Sequence, residues 1–165
     1  MNEKEETKTY GAFTLVLHSH IPFVRKAGAW PFGEEWLYEG LMETYIPLLD
    51  ILYDLKEKGI KTKWCLSITP ILFEQFMNKE IERTENDIKK FAARKEPEYQ
   101  RLAIFYKELF LNVKRSYYER YQRDLINAFR KLQEDGCIEI LASAATHGYL
   151  PLFERDSSVY AQIKL

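Results

Sequence analysis

Two histidines lie two residues apart at the end of an apolar segment, in the stretch LVLHSHIPFVR of residues 15–25. Alternate side chains of a β-strand point to the same face, which should place the imidazoles of His18 and His20 side by side. Two imidazoles on one face are poorly explained by packing, and strand ends are where enzymes built from β-α units collect their chemistry. The alternative is that both are structural histidines at the end of a strand.

Two later segments end in a similar way. The motif Ser67-Ile68-Thr69-Pro70 closes one apolar run, and Thr146-His147-Gly148-Tyr149 follows another. The carboxyl ends of parallel strands share one edge of a sheet, so all three histidines of the chain are predicted to converge there. Tyr149 and two loop tryptophans are expected above them. Rings and imidazoles gathered in this way predict a pocket for a polar ligand.

The segments between these motifs alternate between strand and helix patterns. Short β-rich runs indicate strands, and apolar residues spaced three or four apart indicate helices. Such alternation predicts β-α-β units, a parallel sheet and right-handed crossovers, hence a fold of the α/β class. Pro47 should kink or restart the first helix. The predicted elements are strand 12–17, helix 35–59, strand 62–69, a short helix from 71, a helical stretch 81–134 broken near Pro97, strand 137–142 and a helix from 156.

The composition restricts the class of partner. At 165 residues the chain is one domain or a piece of one, with 46% hydrophobic and 30% charged residues. The net charge of −1 offers no basic excess for a nucleic acid, and no apolar run is long enough to cross a membrane. Residues 1–10 are charged and lack a signal-peptide core, so they are expected to form a disordered tail of a cytoplasmic protein. Cys65 and Cys137 are predicted to be buried free thiols in a reducing compartment.

Aromatic residues make up 15% of the chain, an excess that suits a sugar-binding cleft because pyranose faces stack on flat rings. Core packing remains the ordinary use of any single ring. Trp30 and Trp36 lie in and just after a segment rich in proline and glycine. Each is either an anchor buried against the fold or a stacking surface for a ligand.

Three segments resemble conserved regions of one enzyme family. They are LVLHSHIPFVR, AWPFGEEWLYEGLMETYIPLL and SAATHGYLPLF, and the resemblance covers almost all of the chain after residue 10. The chain resembles the N-terminal part of glycoside hydrolase family 57. The segment WPFGEEWL is most similar to the family's α-1,4-glucan branching type.

The resemblance implies the N-terminal portion of an incomplete seven-stranded (β/α) barrel, with parallel strands, helical crossovers and a glucan site at its C-terminal edge. Residues 11–165 would be the N-terminal part of the catalytic domain. The resemblance also implies an α-1,4-glucan partner, such as amylose or a glycogen-like polysaccharide, and neither a cofactor nor a metal. The implied substrate-binding residues are His18, His20, Trp30, Trp36, His147 and, as a weaker candidate, Tyr149.

The family's enzymes retain the configuration of the anomeric carbon. They use a carboxylate nucleophile and an acid/base carboxyl group roughly 5 Å apart. By resemblance both groups are expected beyond Leu165, so the catalytic domain is expected to be truncated before them. No catalytic residue is assigned within the chain, which is expected to be inactive alone. Branching would transfer an α-1,4-glucan segment to a 6-hydroxyl, making an α-1,6 branch in glycogen or another storage polysaccharide.

Several alternatives remain open on the sequence. One is a sibling α-amylase or 4-α-glucanotransferase of the same family. Another is a metal-dependent polysaccharide deacetylase with the three histidines as ligands, although that chemistry usually needs an aspartate near the first strand end and none stands there. The last is a non-catalytic glucan-binding half-domain, which a separate chain carrying the missing C-terminal part would complement.

Overall fold

The structure is a computed structural model that describes residues 11–28, 33–77 and 97–164. Its centre is a parallel sheet of three strands that lie side by side in chain order, which confirms the predicted parallel arrangement. The first strand forms later than the predicted residues 12–17, because pairing begins only where the second strand runs beside it. The predicted tail of residues 1–10 lies outside the described residues. The strands are β1 (Val16–Ser19), β2 (Trp64–Ile68) and β3 (Ile138–Leu141).

The connection from β1 to β2 is helical and contains a proline-dependent irregularity. Helix α1 (Glu34–Gly40) continues through a π-helical turn (Leu41–Tyr45) into helix α2 (Ile46–Glu57). Pro47 has no N–H to donate to the preceding turn, so the wider turn accommodates it and a new α-helix starts beside it. The expected restart at this proline is therefore confirmed.

The connection from β2 to β3 departs from the prediction of one continuous helical stripe after Pro97. Gln122 and Arg123 adopt positive φ angles of 52° and 61°, which reverse the chain. Asp124 then caps the next helix by accepting a 2.9 Å hydrogen bond from the Asn127 N–H. The spacing of apolar residues hides this break. The elements here are α3 (Pro70–Phe76), α4 (Pro97–Arg115), a π-helical turn (Ser116–Arg120) and α5 (Leu125–Glu134), and the predicted residues 81–96 lie outside the described part.

The core lies between the sheet and the helices that cross it. Leu49, Leu72 and Phe129, from α2, α3 and α5, are fully buried there. Cys137 is buried as predicted, whereas Cys65 is only half-buried, and both thiols are free. A short 3-10 turn (Leu150–Leu152) and helix α6 (Asp156–Lys164) complete the described fold. No helix in the described ranges is long and apolar enough to cross a membrane.

A polar network fixes the helix break to α2. The Tyr121 hydroxyl donates to Asp50 Oδ1 at 2.7 Å, and Arg120 Nη2 pairs with Asp54 and Glu57 at 2.8 Å each. Burial, and then the bond to Asp50, raises the pKa of Tyr121, so its hydroxyl remains a donor throughout the neutral range.

Tyr121→Phe should lower the free energy of unfolding by about 1 kcal/mol, because it removes this hydrogen bond while the ring remains packed. Urea unfolding followed by circular dichroism measures the change. Tyr160→Phe is the matched control, since Tyr160 is 61% exposed, and it should leave the midpoint unchanged. Equal midpoints for both variants would contradict a stabilising role for the network.

Candidate functional site

Three histidines meet at the C-terminal edge of the sheet. The ring centroid of His147 lies 4.6 Å from that of His18 and 4.4 Å from that of His20. The interplanar angles are 28° and 34°, so His147 faces both rings. This histidine cluster (His18, His20 and His147) confirms the predicted convergence. Two of its members are solvent-exposed and His20 is half-buried, so a ligand in solution can reach the cluster.

Two hydroxyl groups at the end of β2 hold the histidines of the first strand. The register pairs His18 with Ser67, whose Oγ lies 3.2 Å from His18 Nδ1. Two residues further along each segment, Thr69 Oγ1 lies 3.1 Å from His20 Nδ1. Ser67 and Thr69 belong to a motif that stands out in the sequence, but they were not predicted to be part of the site. They could have been recognised because they are polar, lie two residues apart like His18 and His20, and belong to the next predicted strand.

The loop after β3 presents the third histidine in a left-handed conformation. His147 has a φ of 62°, and its N–H donates to the Ala144 carbonyl at 2.9 Å. Helix α6 fixes the loop, because the N–H and hydroxyl of Thr146 donate to Gln162 Oε1 at 2.9 and 3.0 Å. The Ala145 carbonyl in turn accepts from the Ile71 N–H of α3 at 3.1 Å. The position of His147 therefore depends on two helices.

A buried glutamine fixes the loop that follows His20. Gln75 of α3 is 0% exposed, and its Oε1 accepts from the Val24 N–H at 2.9 Å. Its Nε2 donates to the carbonyls of Ile21, Pro22 and Ile71 at 3.2 to 3.3 Å. The predictions missed this residue, because a glutamine in a short amphipathic helix carries no sign of burial.

Burial, and then proximity to the other two imidazoles, favours the neutral form of His20. Burial is the first cause that lowers the pKa of His20 below its ordinary 6.5, followed by the charges that His147 and His18 would carry. A neutral imidazole suits recognition of uncharged hydroxyl groups, because it offers one donor and one acceptor.

We expect His20 to titrate below pH 6.5 in an NMR pH titration of the imidazole signals. Below pH 6.5 the His20 imidazole binds a proton more readily in the unfolded chain than in the folded one. Its protonation therefore lowers the free energy of unfolding as the pH falls below 6.5, and the loss is recovered towards neutrality. Urea midpoints at about pH 7.5 and about pH 5.5 check the sign. A His20 midpoint at or above 6.5 would contradict the burial of His20 beside the other two imidazoles.

The aromatic candidates differ in position. Tyr149, just before the 3-10 turn, is 70% exposed, and Trp36 on α1 is 44% exposed. Trp36 is therefore not the fully buried anchor that was one of its two alternatives. Trp30 lies outside the described residues. In the same loop as Tyr149, a side chain at Gly148 would meet the end of the Phe153 ring, which would have to move.

The geometry gives the metal-ligand hypothesis no support. Among residues 11–28, 33–77 and 97–164, no group of three His, Cys, Asp or Glu side chains is placed to hold a metal ion. In the histidine cluster His147 stacks on His18 and lies tilted against His20, whereas three ligands would have to direct one nitrogen each at a common point.

The chain matches one protein family over most of its length. The sequence profile of glycosyl hydrolase family 57 matches residues 14–165. The 1,4-alpha-glucan branching enzyme of Thermococcus kodakarensis is 39% identical over an alignment that covers 93% of this chain and 24% of that enzyme. A probable 1,4-alpha-glucan branching enzyme of Mycobacterium tuberculosis is 43% identical over 39% of this chain and 12% of that protein.

Solved structures give the same result. The branching enzyme of Pyrococcus horikoshii is similar with a TM-score of 0.79 and 41% identity, over 92% of this chain and 30% of that one. An α-amylase of Thermotoga maritima has a TM-score of 0.68 and 28% identity, over 92% of this chain and 32% of that one. The chain thus spans about a quarter to a third of the length of these relatives. The shared fold is a (β/α)7 barrel, of which the three parallel strands and their helices form a part, as predicted.

Proposed function

Because the chain belongs to glycosyl hydrolase family 57, we propose that it forms part of a 1,4-α-glucan branching enzyme whose histidine cluster binds the glucan. The observation that carries this proposal is the meeting of three accessible imidazoles at the edge of the sheet where barrel enzymes bind substrates. Branching is favoured over hydrolysis because the branching-type relatives are 37 to 41% identical, against 28% for the α-amylase.

The chemistry of the cluster suits a polysaccharide. Imidazole nitrogens exchange hydrogen bonds with sugar hydroxyls, and exposed aromatic faces stack on pyranose rings. We assign the first role to His18, His20 and His147, and the second to Trp36, Trp30 and, more weakly, Tyr149. Of the described members, His20 is half-buried and the others are exposed, so a chain of glucose units can reach them.

Transfer with retention needs two carboxyl groups, and several acids of this chain already have structural partners. Asp50 and Asp54 pair with Arg120, Asp135 pairs with Lys56, and Asp124 caps α5. Since the chain covers 24 to 32% of the length of these relatives, we propose that it contributes binding, and that the nucleophile and the acid/base come from a further C-terminal segment or a separate chain. The enzyme would then act in storage-polysaccharide synthesis in the cytoplasm.

Affinity electrophoresis of the full chain tests the binding claim. Native gels containing amylose or glycogen should retard the chain, whereas gels containing an α-1,6-linked dextran should not. The matched control is Lys131→Asn, at a lysine on α5 in the last turn of the helix, which changes one charge away from the histidine cluster. Equal mobility in all gels would contradict glucan binding.

A chimera tests branching itself. Residues 14–165 would replace the corresponding N-terminal part of the Thermococcus kodakarensis enzyme, with which this chain is 39% identical. The chimera should produce new α-1,6 linkages in amylose, measured by enzymatic debranching. A folded chimera that only shortens the glucan would instead support the hydrolytic alternative.

A further inference from the structure

The hydroxyls of Ser67 and Thr69 stand in a repeated arrangement. Ser67 lies on β2 and Thr69 directly follows its last residue, and each faces Nδ1 of a histidine on or just after β1, at 3.2 and 3.1 Å. The repeat follows from the parallel register, since both strands show the same face every second residue. The two bonds therefore form a ladder of hydroxyl–imidazole pairs across the edge of the sheet.

The Thr69 hydroxyl bonds to His20 and does not cap the helix that begins beside it. Thr69 occupies the N-cap position of α3, where a threonine hydroxyl usually accepts a hydrogen bond from the first turn, yet it makes no such bond. The Ile71 N–H donates to the Ala145 carbonyl, and the Leu72 N–H donates to the Thr69 carbonyl. With those donors satisfied, the fully buried hydroxyl is directed to His20.

The buried hydroxyl of Thr69 determines which nitrogen of His20 carries the proton. A hydroxyl carries one hydrogen, and a buried hydroxyl donates it to an acceptor. The Thr69 hydroxyl is fully buried, and in the part of the chain that the structure describes its hydrogen-bond partner is Nδ1 of His20. Nδ1 of His20 thus accepts, and the proton of the neutral ring resides on Nε2, at the edge of the ring turned away from β2. The half-buried Ser67 stands in the same arrangement with His18, and we extend the assignment to that ring by analogy.

We propose that Ser67 and Thr69 are positioning residues that set His18 and His20 in the Nε2–H tautomer, so that both rings present N–H donors to glucan oxygens. This inference deepens the proposed function and rests on it for the identity of the ligand. The hydroxyl and ring oxygens of a sugar accept hydrogen bonds from such N–H groups. Two N–H donors about one strand repeat apart would fix the register of a bound glucan chain. His147 stacks on His18 and lies tilted against His20, and these contacts limit the rotation of both rings.

Nitrogen-15 shifts of the imidazoles test the assignment without any ligand. In the full chain at neutral pH, His18 and His20 should show a protonated Nε2 and an acceptor-type Nδ1. Thr69→Val keeps the shape but removes the hydroxyl, and it should move the His20 Nδ1 signal and populate the Nδ1–H form. Thr69→Ser should restore the original signals. Thr62→Val, which removes a hydroxyl bonded to the Cys137 carbonyl, should leave the His20 signals unchanged.

A second readout connects the tautomer to binding. Maltoheptaose should bind Thr69→Val roughly two- to tenfold more weakly than the wild type, as expected for one misdirected donor. Ser67→Ala makes the same test at His18, and serves if Thr69→Val fails to fold. An Nδ1–H tautomer in the wild type, or His18 and His20 shifts that neither variant alters, would overturn the inference. Failure of the wild type to bind maltoheptaose would refute the proposed function while the tautomer result still stands.

Discussion

Gln75→Leu should lower the free energy of unfolding by about 3 kcal/mol, because it leaves buried polar groups without partners. Leucine fills a similar volume but can neither accept from the Val24 N–H nor donate to the carbonyls of Ile21 and Pro22. Gln75 is 0% exposed, so water cannot replace those bonds. Urea unfolding followed by circular dichroism measures the loss.

Gln133→Leu provides the matched control, because Gln133 lies on the exposed side of α5. It should change the free energy of unfolding by less than about 0.5 kcal/mol. Since the loop held by Gln75 follows His20 directly, Gln75→Leu should also weaken glucan binding in conditions where the variant is still folded. A loss of stability below about 1 kcal/mol would contradict the bonding assigned to Gln75.

His147→Asn should weaken the binding of a linear α-1,4-glucan by more than about tenfold. The variant removes a ring that contacts two histidines and that is itself assigned to glucan binding. Asparagine tolerates the positive φ of 62° at this position, so the loop should keep its course. Isothermal titration calorimetry with maltoheptaose measures the change.

Gln122→Asn is the control for backbone conformation. Gln122 also has a positive φ, of 52°, but it lies at the helix break before α5. This variant should bind the glucan as the wild type does. If His147→Asn binds equally well and retains its fold, the assignment of the histidine cluster to the glucan is wrong.

The sequence was sufficient to predict the convergence of the histidines, for a simple geometric reason. Alternation along one strand placed His18 and His20 together, and the common edge of a parallel sheet added His147. These two arguments need only the order and direction of the strands. The restart of the helix at Pro47 was equally predictable, because a proline lacks the N–H that the helix requires.

Other features depend on tertiary contacts that a sequence does not display. The pairing of His20 with Thr69 can be predicted only when the register of two strands is known. The local sequence around Thr69 indicates a helix cap instead. Gln75 is a polar residue whose burial follows from the path of a distant loop. The helix break after Tyr121 was missed because Tyr121 and Leu125 keep a helical spacing across it.

An NMR titration of the full chain with maltoheptaose tests glucan binding at the histidine cluster, because the chain has three histidines and all three belong to the cluster. We expect the imidazole signals of His18, His20 and His147 to shift together and saturate, while maltoheptaose leaves the Trp64 indole signal unchanged. An isomaltose oligomer of similar length should cause no such shift. Imidazole signals that remain in place at saturating maltoheptaose would contradict the claim that this edge of the sheet binds α-1,4-glucan.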